Sequence, residues 1–274
     1  MKRRTDHQWH IDLPLRRSLA PAVLLVALAA VPAMGQSAAD HVAMGIAARN
    51  ALDARTALVH FEAALAVDST DYQANWQAAI SLIDIGAETP DDVPSPARDS
   101  LYARAELLAR RATETRPEGA DGHFALANAI GRVALTASAR EKIRRASEVR
   151  LEAMKAIQLD PRHDGAYHVL GRWHAEVMRL SGATRFLART FLGGGVLGEA
   201  SWDAAIANLE QAVELNPDRI IHRLDLAEIY LDVDREADAR TQLERIAQLT
   251  PRDPGDPESK RRAAERLAAL APEG

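Results

Sequence analysis

His163, His168 and His174 are close enough in sequence to raise the question of a metal centre. A helix presents two imidazoles to one ion when they stand three or four residues apart. Here the spacings are 5 and 6, so these histidines read as packing or hydrogen-bonding groups. Gly193-Gly194-Gly195 has the flexibility of a phosphate-cradling loop, but no Lys-Ser/Thr follows it. Asp91-Asp92 could supply acid and base, yet the pair lies in a proline-rich stretch that reads as solvated loop. Neither Gly-x-Ser-x-Gly nor His-Glu-x-x-His is present. With no cysteine in the chain, disulfides, thiolate catalysis and Cys-based zinc sites are excluded. The expectation is therefore no enzyme, no cofactor and no metal. What remains is a set of residues suited to binding: Trp76, Ile80, Phe124, Asn128, His168 and Arg172.

The elements that must position them are declared by a spacing. Ala105, Ala109, Ala112 and Pro117 are separated by 4, 3 and 5 residues. Ala205, Leu209, Ala212 and Pro217 repeat those offsets, as do Ala239, Leu243, Ile246 and Pro251. This is the second half of a tetratricopeptide (TPR) repeat, in which small residues let two antiparallel helices pack closely and a proline ends the pair. In the repeat frame, position 8 is small and falls on Gly45, Ala79, Ala127, Gly171 and Ala227. The predicted fold is an all-α, TPR-like α-solenoid of about five antiparallel helix pairs. Asp256-Pro257 is expected to cap and start a C-terminal helix, about 256–270, that solvates the open end.

Positions 8 and 20 of a standard repeat lie 12 residues apart, as in the first and fifth repeats here (45 to 57, 227 to 239). They are 26, 22 and 34 apart in the second, third and fourth. The second insert, from Glu88 to Asp99, is expected to be loop. The third is basic and should lengthen the helices. The fourth carries an amphipathic helix over 184–191, read either as a flap packed on the helix pair or as a lid on a groove. Positions 5, 9 and 12 of each first helix face the concave side. They give Val42, Ile46 and Arg49; Trp76, Ile80 and Ile83; Phe124, Asn128 and Gly131; His168, Arg172 and Ala175; Leu224, Glu228 and Leu231. The groove is thus expected to be apolar in its N-terminal half and polar near its middle. Either these residues only pack together, or they form an apolar-ligand or helix-binding groove. Arg172 either contacts a ligand or pairs with a carboxylate of the second helix.

Composition agrees with a helical stack: 47% of residues are hydrophobic but only 4% aromatic. Residues 1–35 read as an export signal, with Lys2, Arg3, Arg4, Arg16 and Arg17, an apolar run from Leu19 to Val31, and Ala33-Met34-Gly35 as a small-x-small cleavage pattern. The run is shorter than the roughly 20 residues that cross a bilayer. A cleaved, periplasmic product with no transmembrane span is expected, the alternative being tethering by an uncleaved segment. The domain then runs from 36 to 274. Removing the leader's five basic and two acidic residues from 34 and 39 leaves 29 and 37, a net of −8, which opposes nucleic-acid binding through bulk charge.

Beyond the generic frame, HFALANAIGRVAL, the stretch ending in AYHVLGRWHAEVMRLS, and SWDAAIANLEQAVELNPD together resemble the regulator of microtubule dynamics protein family. Leu170-Gly171-Arg172-Trp173, with Asp160-Pro161 upstream, is the most specific part, and the resemblance covers roughly half the chain. It implies long TPR-like helices with an insert before the fourth second helix. Eukaryotic members are implicated in microtubule association and in mitochondrial or endoplasmic-reticulum contacts, and one has a TPR domain that binds and transfers phospholipid. The leader and the Ala/Arg-rich composition mark an exported homologue of bacterial type, which would meet no microtubules. The resulting expectation is a non-catalytic scaffold that engages a protein or peptide on its concave face. Trp76, Ile80 and Phe124 would serve as apolar anchors, and Asn128, His168 and Arg172 would orient polar groups. The alternative is a phospholipid or other apolar ligand in the same groove.

Overall fold

The computed structural model describes residues 36–90, 93–134, 137–191 and 195–270; the leader read over 1–35, Asp91-Asp92 and Gly193-Gly194 lie outside these. The described residues hold twelve α-helices and no strand. Five antiparallel pairs follow one another: α1 (Ala38–Asn50) with α2 (Ala54–Val67), α3 (Tyr72–Gly86) with α4 (Pro96–Thr115), and α5 (Ala120–Ala134) with α6 (Ala139–Leu159). Then α7 (Asp164–Arg179) pairs with α9 (Trp202–Leu215), and α10 (Ile220–Asp232) with α11 (Glu236–Gln248). The helix α8 (Gly182–Phe191) and a short 3-10 turn (Gly195–Glu199) fill the fourth insert, and α12 (Asp256–Ala269) closes the stack.

The repeat frame is the core. Position 8 residues Gly45, Ala79, Ala127, Gly171 and Ala227 are all buried. So are Ala57, Ala105, Val149, Ala205 and Ala239 at position 20, and Phe61, Ala109, Ala153, Leu209 and Leu243 at position 24. The pairing is specific: a Cβ on Gly45 would stand 2.4 Å from the Phe61 ring, and one on Gly171 would stand 2.8 Å from Leu209 Cγ. In the first and fourth repeats the glycine at position 8 thus makes room for the side chain at position 24 of its partner helix. Adjacent pairs are tied as well. The Tyr72 hydroxyl accepts a hydrogen bond from the Gly122 amide at 2.9 Å, and the Arg116 guanidinium lies 4.3 Å from the Tyr72 ring centroid.

Helix starts follow the sequence. Ser37, Asp53, Asp71, Ser95, Ser138 and Ser201 each accept from a backbone amide three residues on. Ser201→Ala is expected to lower stability by about 1 kcal/mol, read as a shift in urea midpoint at unchanged m-value; an unchanged midpoint would show that this cap contributes nothing. Two details differ from expectation. The second insert is only partly loop, because α4 begins at Pro96 and extends upstream of Ala105. Arg98 holds the remaining loop by donating to the Pro90 and Val93 carbonyls. Asp256 is the first residue of α12 rather than its cap; its carboxylate turns back to accept from the Arg252 and Asp253 amides.

The third insert lengthens α6 to 21 residues. In the fourth, Leu197 of the 3-10 turn is buried, whereas Phe186 of α8 is 64% exposed. The turn packs into the body through Leu197, while Phe186 is largely exposed. Among the described residues no helix is long and apolar enough to cross a membrane.

Candidate functional site

The first helices of the pairs bring Trp76, Ile80 and Phe124 to one cavity of about 300 Å³ on the concave face. Phe124 stacks on the His163 ring, with centroids 4.8 Å apart. Gly165 permits this placement, since a Cβ there would meet the Phe124 ring at 2.7 Å. This apolar floor has a charged rim of Arg49, Asp121, Asp160, Arg162, His163, Asp164, Arg219 and Asp253. Asn128, His168 and Arg172 are not among the lining residues. His168 and Arg172 are instead engaged by a carboxylate deeper in the stack. His168 Nε2 is 3.1 Å and Arg172 Nη1 3.2 Å from Asp225 Oδ2. Arg172 also faces Glu176 at 3.7 Å. Its main carboxylate partner therefore lies on α10, a first helix of the next pair.

Charges run continuously along the groove. Arg49 donates to Asp84 at 2.8 Å and reaches Asp253 at 3.7 Å. Arg219 Nε stands 3.4 Å from the other oxygen of Asp253, and its Nη1 3.7 Å from Asp164. Asp164 accepts from Asn216 at 2.9 Å and from His222 Nε2 at 3.0 Å. His222 Nδ1 then meets His168 Nδ1 at 2.9 Å. Groups from α1, α3, α7, α10 and the segment before α12 thereby form one string.

Burial and neighbours set the protonation of this string. Burial pushes the His222 imidazole down to about 3, with His168 and Arg219 reinforcing it against Asp164. Burial also lowers His168, although Asp225 opposes it. A bond between the two facing Nδ1 atoms needs a proton on one and a lone pair on the other, and protonating both rings would set two N–H groups head to head. Asp164 and Asp225 are both held well below the usual carboxylate range. Burial raises each, but His222, Arg219 and Asn216 outweigh it at Asp164, and Arg172 and His168 outweigh it at Asp225. Asp84 is the exception: burial raises its pKa more than Arg49 lowers it.

Among the described residues no group of three or more His, Asp or Glu could hold a metal ion. The three histidines weighed as ligands part company: His163 stacks on Phe124, His168 joins His222, and His174 packs edge-on against Trp173 at 4.9 Å. Sequence reasoning left Arg219, Asp253, Asp164 and His163 out of the binding set. The signal was a second periodicity, because charged residues follow the repeat prolines by two or three positions: His163 and Asp164 after Pro161, Arg219 after Pro217, Asp253 after Pro251.

Five helix pairs with buried small residues at the frame positions, stacked around a concave face, define a TPR-like α-solenoid. Within that class the match is to the family described as regulator of microtubule dynamics protein 1-3, over residues 43–271. The chain belongs to that family. Among curated proteins none matches the chain. Of solved structures, TTC0263, a thermophilic TPR protein of Thermus thermophilus, is similar with a TM-score of 0.59 and 21% identity, over 84% of this chain and 99% of that one. Pseudomonas aeruginosa pilF gives 0.49 and 14%, over 86% and 93%. At 21% identity the likeness to TTC0263 is one of fold.

Proposed function

We propose that the protein is a non-catalytic binding scaffold that engages a protein or peptide partner in its concave cavity. The observation that carries this reading is the Trp76, Ile80 and Phe124 floor beneath a charged rim, in a volume of about 300 Å³. Ligand pockets span roughly 300–1,000 Å³, and this one lies at the lower end, a volume suited to one large apolar side chain. A two-tailed phospholipid would have to extend beyond it along the groove. An aromatic and aliphatic anchor pocket ringed by polar groups is the usual form of an interface centre. Export across a membrane remains part of the proposal, on the strength of the leader alone.

The test is native mass spectrometry and cross-linking of protein purified from its own host. The expected result is a cross-linked protein partner that is lost with Trp76→Glu or Phe124→Glu, with no copurified lipid. Trp76 is only half-buried, so its replacement should leave the far-UV circular dichroism and Tm close to wild type. A copurified phospholipid displaced by the same substitutions would overturn the peptide reading in favour of the carrier.

A further inference from the structure

We infer that the cavity recognises a free C-terminal carboxylate together with the apolar side chain of the last residue of a peptide; this rests on the concave-face reading above. The basis is the pair Arg49 and Arg219. Arg49 Nη2 and Arg219 Nε approach the two oxygens of one carboxylate, that of Asp253, at 3.7 and 3.4 Å. These are ion-pair separations, longer than a hydrogen bond. Arg219 Nε is buried and has no hydrogen-bond acceptor, and orphaned buried donors in native proteins call for an explanation. Two arginine forks set around a carboxylate are the standard geometry for recognising one.

Asp253 sits outside the helices in the segment after Pro251; its backbone amide is held by Asp256, but its side chain is 32% exposed and held only at ion-pair distances. Its carboxylate is thus an internal stand-in that a ligand carboxylate can replace, moving Asp253 toward solvent. The other acids on the rim are already committed: Asp164 to His222 and Asn216, Asp160 to the Arg162 amide, and Asp121 to His163 at 3.4 Å. The apolar floor lies in the same cavity as both arginines. A carboxylate at the arginine pair therefore brings an adjoining side chain over Trp76, Ile80 and Phe124. The pocket's size admits one such side chain.

The probes are two pooled hexapeptide libraries with Phe, Leu or Val fixed at the last position, one as free acids and one as C-terminal amides. Retention on the immobilised full-length protein is read by mass spectrometry, and selected peptides are titrated by fluorescence anisotropy. Free acids are expected to bind about tenfold or more tighter than their amides. Asp253→Asn is expected to tighten free-acid binding several-fold and to leave amides unaffected, because it removes the internal competitor. Arg219→Gln is expected to remove the preference for the acid. Equal binding of acid and amide, abolished by Phe124→Glu, would overturn the carboxylate assignment and leave the concave-face reading standing. No retention of either library by wild type or Asp253→Asn overturns the carboxylate assignment, and the cross-linking experiment then decides the concave-face reading on its own. Decanoate serves as a further arm: binding that responds to Asp253→Asn and Arg219→Gln when no peptide acid binds would move the same carboxylate site from peptides to fatty acids, and the inference would fall.

Discussion

Gly171→Val is expected to be among the most damaging single substitutions in the chain. Gly171 lies at position 8 of the fourth repeat, inside Leu170-Gly171-Arg172-Trp173. A Cβ there would stand 3.0 Å from the Ala205 carbonyl oxygen and 3.2 Å from the Leu209 amide nitrogen, as well as 2.8 Å from Leu209 Cγ. Two of those three atoms are backbone of α9 and cannot turn away as a side chain can. Relief requires α7 and α9 to separate, which would open Ala205, Leu209 and Ala212, all fully buried. Overpacking a core typically costs 1–3 kcal/mol and occasionally more. For a β-branched residue against backbone we expect about 3 kcal/mol or above, a fall in Tm of roughly 10 °C.

Gly131 supplies the contrast. A Cβ there would meet nothing closer than Val149 Cγ2 at 4.0 Å, so Gly131→Ala is expected to be neutral or to stabilise by up to about 1 kcal/mol through helix propensity. The measurement is urea denaturation of both variants and of Gly171→Ala. If Gly171→Ala behaves like Gly131→Ala, close approach at position 8 is not what the motif maintains.

The second large effect is on pH. A histidine whose folded pKa is lowered binds a proton more readily unfolded than folded. His222, near 3 in the fold against about 6.5 in an unfolded chain, therefore costs stability as pH falls below 6.5, until about 3. His168 acts in the same direction. Asp164 and Asp225, held low in the fold, contribute stability that is present above about 4 and lost as pH falls below it. Three groups act the other way. His123, raised by its bond to Glu152, contributes stability that is present below pH 6.5 and lost as pH rises through its folded value. Asp84 and Asp256, both raised by burial, relieve a cost as pH falls toward their folded values.

The net expectation is a loss on the order of a few kcal/mol between pH 7 and pH 4, with the Tm already falling by pH 5.5. His222→Gln should lower the Tm at pH 7 yet flatten its dependence between pH 7 and 5, because the group that takes up the proton on unfolding is gone. A variant with the same slope as wild type would place the acid sensitivity elsewhere.

The TPR frame was legible because it is local. The residues at positions 20, 24, 27 and 32 recur at offsets of 4, 3 and 5, and the close helix packing they specify is local. Trp76, Ile80 and Phe124 were legible for the same reason, since positions 5 and 9 of a first helix face inward whatever the rest of the stack does. His168 and Arg172 shared that face, but the structure directs them to Asp225, 53 residues from Arg172. Which carboxylate an inward-facing cation meets depends on the next repeat. The meeting of Arg49 with Asp253 was out of reach of any period. It depends on the accumulated rotation of five pairs, three of them stretched by inserts, and a small change in rotation per pair would part the two residues.

That meeting also bears on how the two ends of the array behave. A solenoid whose repeats touch only their neighbours behaves as a one-dimensional lattice with free ends, so its terminal units fray independently. Here the contact between Arg49 on α1 and Asp253 ahead of α12 is a single ion pair at 3.7 Å, not a packed interface. A partly exposed pair of that kind contributes little by itself, so a ligand that displaces Asp253 would release the two ends of the array from each other at small cost.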